Sequence, residues 1–140
     1  MSQYRRCFRL FDIDRLRNDR VEGKNAAAIT SRGYLMIVTV FRTRMNPDVQ
    51  DEYSPMAMRM SELARAVPGY ISHKGFVADD GERVTIVEFE NEEALQKWRI
   101  DPEHRTAKRR GVESFFSEFK FQICNVIRER MWTAKAKVPD

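Results

Sequence analysis

Residues 68–111, PGYISHKGFVADDGERVTIVEFENEEALQKWRIDPEHRTAKRRG, decide the fold. Two β-rich runs, Tyr70–Ala78 and Glu82–Glu90, flank the short stretch Asp79-Asp80-Gly81. Asp-Gly between such runs signals a hairpin, because glycine tolerates the positive φ that tight turns demand. Asn91-Glu92-Glu93 then caps a helix that carries Trp98, its acidic residues favourably placed in the first turn. Asp101-Pro102 opens another short helix, and Gly111 is expected to end it.

Upstream, Tyr34–Phe41 is nearly all apolar and rich in β-branched residues, as expected of a strand covered on both faces. Asn46-Pro47 predicts a helix start, and Met56, Met60, Leu63 and Val67 follow at helical spacing as one apolar stripe. Pro55 falls inside that stripe and predicts a kink or restart. Pro68-Gly69 closes the helix. Downstream, Glu118–Arg130 reads as a last strand.

The order is therefore β-α-β-β-α-β: an α+β, ferredoxin-like antiparallel sheet with helices on one face. Apolar residues occupy both alternation phases of the outer runs. Leu35, Ile37 and Phe41 oppose Met36, Val38 and Val40, while Phe119, Phe121, Ile123 and Ile127 oppose Cys124 and Val126. A second cover is needed for the far face, and a homodimer is the expected partner. Residues 34–130 form this domain, 1–33 an N-terminal extension with one short element near 8–17, and 131–140 a polar tail.

The chain is one domain's length, and no apolar run approaches the roughly 20 residues of a membrane span. The arginine-bearing start has no following apolar segment, and Cys7 and Cys124 form no metal or redox spacing, so a reducing, cytoplasmic setting is expected. The formal charge of +4 lies wholly in residues 1–33, with 8 basic and 4 acidic side chains; the rest balances 17 against 17. A neutral body is a poor match for a phosphate backbone, so nucleic acid is not the expected partner.

Trp98 either fills the helix–sheet core or turns its N–H into a pocket. His104 falls at the third position of its helix, where the dipole disfavours imidazolium; it is a neutral base or donor, or it ties the loop to the backbone. His73 shares a strand face with Ile71 and Val77 and lines the same cavity or sits in the sheet. Met56, Met58 and Met60 serve as adaptable packing or as a soft wall for a flat ligand. Arg105, Lys108, Arg109 and Arg110 read as a solvated face, with a gate for an anionic ligand as the alternative. The spacing supports no metal site, phosphate loop or nucleophile elbow.

In order along the chain come Phe41-Arg42, Glu52-Tyr53, Leu63-Ala64, Pro68-Gly69-Tyr70, Asp79-Asp80-Gly81-Glu82-Arg83, Trp98-Arg99, Pro102-Glu103-His104, Gly111 and a final strand with Cys124. In this the body resembles the antibiotic biosynthesis monooxygenase family of dimeric α+β barrels. The resemblance implies, for a catalytic member, oxygenation of an electron-rich phenol, quinol or anthrone by O2 without a cofactor. His104 would be base or donor and Trp98 donor and wall, with Phe41, Phe76, Phe89, His73 and Met60 lining the substrate pocket. The same barrel also hosts haem-degrading enzymes and non-catalytic ligand-binding or stress-associated proteins. Haem-degrading and anthrone-oxidising members typically carry an asparagine facing the pocket from the first strand; Thr39 is the polar residue here. That departure counts against haem degradation and leaves quinol oxidation without its usual anchor. A ferredoxin-like RNA binder would need a basic sheet face with exposed aromatics, which the sequence lacks.

Overall fold

A computed structural model describes residues 35–134. Within them β1 (Ile37–Met45), α1 (Gln50–Arg65), β2 (Tyr70–Val77), β3 (Arg83–Phe89), α2 (Glu92–Ile100), α3 (Pro102–Arg110) and β4 (Phe116–Asn125) follow in chain order. The expectations for residues 1–33 and for the end of the tail lie outside the described residues. All strand pairs are antiparallel and the sheet order is β2-β3-β1-β4, the ferredoxin-like arrangement. No described helix is long and apolar enough to cross a membrane.

The hairpin forms where Asp-Gly places it. Ala78 N–H donates to Glu82 O at 2.8 Å, Gly81 N–H donates to Ala78 O at 2.9 Å, and Gly81 sits at φ 84°. That is a three-residue loop whose left-handed last position suits glycine. Both short helices have the caps their sequences announce. Asn91 accepts from Ala94 N–H at 2.9 Å, and Asp101 accepts from the N–H groups of Glu103 and His104 at 2.8 and 3.1 Å.

Several boundaries differ from expectation. β1 starts later and continues to Met45, because alternation persists through its charged end. Thr43 is buried there, while Arg42 makes a two-pronged pair with Glu82 at 2.8 Å. Asn46 does not cap α1; its Nδ2 donates to Ser114 O at 2.9 Å and its backbone N–H to Phe115 O at 2.7 Å. Asp48, at φ 60°, turns the chain, and α1 begins at Gln50 without a side-chain cap. Pro55 neither ends nor restarts α1; it lies on the exposed face, where water can serve the carbonyl it leaves unbonded. β4 stops at Asn125, opposite Ile37, because β1 offers no earlier partner; Val126 N–H to Met36 O, 3.0 Å, is the last rung.

α3 ends at Arg110 with Gly111 at its C-cap, as expected, and the chain runs on into a π-helical turn, Gly111–Phe115. The ring of Phe116 occupies the space a Cβ on Gly111 would fill, at 2.4 Å. Only glycine lets that ring fold back against the helix, and this positions the aromatic start of β4.

The helices cover the face bearing Ile37, Thr39, Phe41 and Thr43 of β1 with Val87 and Phe89 of β3. Ile37, Ala64, Val87, Phe89, Ala94, Leu95 and Trp98 form the buried core. On the other face Val38 and Val40, opposite in phase, are only half-covered in the single chain, and Phe76 of β2 is 53% exposed.

Candidate active site

Trp98 occupies the last turn of α2, and the bend at Asp101 swings α3 back so that His104 meets it. The two rings stack with centroids 4.0 Å apart and planes 21° from parallel. On its far side the indole packs on Phe89 at 5.6 Å. Trp98 thus belongs both to the core and to a cavity wall; the two sequence alternatives are not exclusive. Its Nε1 is buried and finds no hydrogen-bond partner among the described residues. An unmet buried donor costs about 1–3 kcal/mol, so such groups call for an explanation.

His104 Nδ1 lies 2.9 Å from the carbonyl oxygen of Trp98. A carbonyl only accepts, so Nδ1 carries the proton and the lone pair of the neutral ring is on Nε2. Burial pushes the imidazole down to about 4, against the smaller opposing effect of that carbonyl. At neutral pH the ring is uncharged, fixed in tautomer and able to accept a proton.

These two residues wall a recess of about 140 Å³ between the helices and the sheet. Phe41, Thr39 and Thr85 form its floor, Phe116, Phe119 and Phe121 one side, and Tyr53, Met56 and Met60 of α1 its roof. Phe41 is the hub of the aromatic side, 5.5, 6.3 and 6.1 Å from the rings of Phe116, Phe119 and Phe121. Met56 and Met60, one turn apart, face the recess; Met58, half a turn away, is 69% exposed. His73 enters from β2 with Nδ1 3.4 Å from Ser61 Oγ, its basicity lowered by burial and then by Arg65. Burial likewise raises the Tyr53 phenol.

Two expected lining residues are elsewhere. Phe76 pairs with Val84 on the outer face, because it lies at an offset of three from the inward-facing His73 and an odd offset reverses the side. The register shift between Tyr70 and Ser72 lets both Tyr70 and His73 face inward, with Ile71 left 43% exposed. Phe89 points inward but is fully buried behind Trp98, so it supports the wall rather than lining the recess.

The sequence reading missed the aromatics of β4 as lining, although Phe119 and Phe121 share a phase. It also left Lys108 in a solvated run. Lys108 lies one turn beyond His104 and faces the recess, donating from Nζ to Arg99 O at 3.2 Å. Arg110 does conform to the solvated reading, paired with Glu52 at 2.7 Å. Thr39, standing where an asparagine would anchor a ligand, donates its hydroxyl to Val87 O at 3.2 Å and is thereby occupied. No three His, Cys, Asp or Glu side chains converge as a metal site among the described residues.

A ferredoxin-like sheet with an apolar, aromatic-walled hollow beneath its helices defines the class. Residues 36–110 match the antibiotic biosynthesis monooxygenase family, and the chain belongs to it. The uncharacterised protein YqjZ of Bacillus subtilis is 28% identical over 80 residues, 57% of this chain and 70% of that one. Among solved structures, Rv0793 from Mycobacterium tuberculosis superposes with a TM-score of 0.62 at 18% identity, covering 69% of this chain and 99% of its own. SnoaB, a cofactor-independent oxygenase from Streptomyces nogalater, does so with 0.55 at 15% identity, covering 76% and 99%. At these identities the solved structures establish the shared fold.

Proposed function

We propose that this protein is a cofactor-free monooxygenase of an electron-rich aromatic: a phenol, quinol or anthrone. The observation that carries the reading is the stacked Trp98–His104 pair walling an apolar recess, with His104 neutral and its Nδ1–H fixed on the Trp98 carbonyl. The fold shared with SnoaB, itself a cofactor-independent oxygenase, supports it.

Nε2 of His104 takes a proton from the substrate's acidic O–H or C–H. The resulting anion is electron-rich enough to reduce O2 itself. One oxygen atom enters as a quinone carbonyl, the other leaves as water, and all four electrons come from the substrate. The protein's work is to remove the proton, hold the anion and exclude bulk water. Trp98 contributes its ring as a wall; its unmet indole N–H is out of reach of water and would have to be uncovered before a substrate oxygen could accept from it.

Oxygen consumption with a panel of quinols and anthrones tests the reading. Turnover should fall at least about 100-fold in His104→Gln, the ordinary contribution of a positioned base. No uptake above buffer across the panel overturns it. A second reading, a barrel that binds a small apolar ligand without turning it over, is favoured by Thr39, whose hydroxyl is spent on the Val87 carbonyl. Ligand binding with no oxygen uptake, unchanged in His104→Gln, would select it.

The outer face of the sheet, with Val38, Val40 and Phe76, is read as covered by a second copy of the chain; sedimentation as a monomer at micromolar concentration would exclude this. A cytoplasmic setting is part of this reading, and recovery of the protein from another compartment on cell fractionation would exclude it.

A further inference from the structure

We propose that Phe116, seated against Gly111, sets the width of the recess and limits it to substrates of one aromatic ring. This narrows the substrate class of the oxygenase proposed above and rests on that reading for its catalytic consequence. Gly111 supplies the first argument. Its φ of −55° and ψ of −50° are ordinary helical angles that any residue adopts. Alanine is the better helix former at such angles, so backbone freedom does not account for the glycine. Space does: three carbons of the Phe116 ring would lie within 3.2 Å of a Cβ at this position.

The second argument is where that ring stands. Phe116 meets Phe41 on the floor edge-on at 5.5 Å and Tyr53 in the roof edge-on at 5.8 Å. It therefore spans sheet and helix at one side of the recess, with Gly111 at its back. A ring pushed off Gly111 has helix behind it and aromatic neighbours above and below. The recess is the side that yields. Residue 111 thus fixes how far the side wall is drawn back, and residue 116 how much of the gap it fills.

Size is the third. The recess of about 140 Å³ compares with the roughly 150 Å³ apolar cavity that accommodates benzene. A three-ring anthrone would have to force apart walls that are themselves aromatic rings in contact. A substrate too wide to enter stops at the rim, where its hydroxyl falls short of Nε2 of His104. The size limit thereby becomes a limit on which substrates are deprotonated.

Equilibrium dialysis of the full chain at pH 7 against 4-methylphenol, 2-naphthol and 2-anthrol tests this. Wild-type affinity should fall about tenfold or more from the one-ring to the three-ring phenol, the usual penalty for forcing atoms into packed walls. Phe116→Ala should reverse that order, and the milder Phe116→Leu should do so for 2-naphthol. Gly111→Ala should weaken 4-methylphenol itself about tenfold, as the displaced ring takes its place. Wild-type affinity that climbs with ring number, as apolar area alone dictates, overturns the proposal without any variant. So does the wild-type order kept in both Phe116 variants, or 4-methylphenol bound by Gly111→Ala as by wild type. Ring-limited binding without oxygen uptake from any one-ring quinol sinks the oxygenase and leaves the size limit standing. Uptake with an anthrone equal to that with a one-ring quinol does the reverse.

Discussion

The helix-covered face of the sheet has two halves that obey the same alternation and end differently. Around Ile37, Phe89, Ala64, Ala94 and Leu95 every side chain is at most 3% exposed, and the helices rest directly on the strands. Around Phe41, Met56, Met60 and Phe119 the layers stand apart and leave the recess. The facing residues explain the contrast. Alanines let backbones approach closely: a Cβ on Gly69 would come within 2.9 Å of Ala94 Cβ. Methionines and aromatic rings prop the layers open, and Trp98 is the partition. A core and a site can therefore share one sheet face, divided by residue size rather than polarity.

The sharpest way to break this comparison is truncation on either side of the partition. Phe89→Ala should lose about 4 kcal/mol in urea denaturation, while Met60→Ala, opening an already hollow region, should lose about 1 kcal/mol. Equal losses would mean the hollow is packed in solution.

Acid should act on the hollow half next. His104 titrates at about 4 when folded against about 6.5 unfolded, so the unfolded chain binds the extra proton first. The stability at issue is intact above about pH 6.5 and is lost as pH falls through 4, by up to about 3 kcal/mol. His104→Gln should flatten that limb in pH-dependent denaturation; an unchanged slope would show that the ring is accessible to water.

A smaller effect is expected at the close contact of the solid half. Gly69→Ala combines a positive φ of 92° with the encroachment on Ala94 and should cost about 2 kcal/mol by thermal melting. Gly75, with nothing within 4 Å of an added Cβ, should accept alanine with no loss.

The solid half and the topology were legible because their signals are local. Asp79-Asp80-Gly81, Asn91 and Asp101 each make the bond their type and position announce, and the apolar periods mark which face is covered. Asn46 looked like the same kind of signal and instead holds the π-helical turn, a partner 68 residues away. The hollow was hard to read for a different reason. Whether Phe89 or Phe41 meets open space depends on the separation between two layers, which no spacing encodes. Phe76 was avoidable, since its odd offset from His73 already put it on the other side. So was Lys108: four residues after His104, it had to share that residue's helix face, but its basic neighbours hid it.

The tether from His104 to the carbonyl ending α2 makes the ring and the indole a single part. Their joint orientation is governed by the bend at Asp101, which lies outside the chemistry altogether. A change that loosens that corner, far from any substrate atom, would misaim acceptor and wall together, and restoring either side chain alone would not repair it.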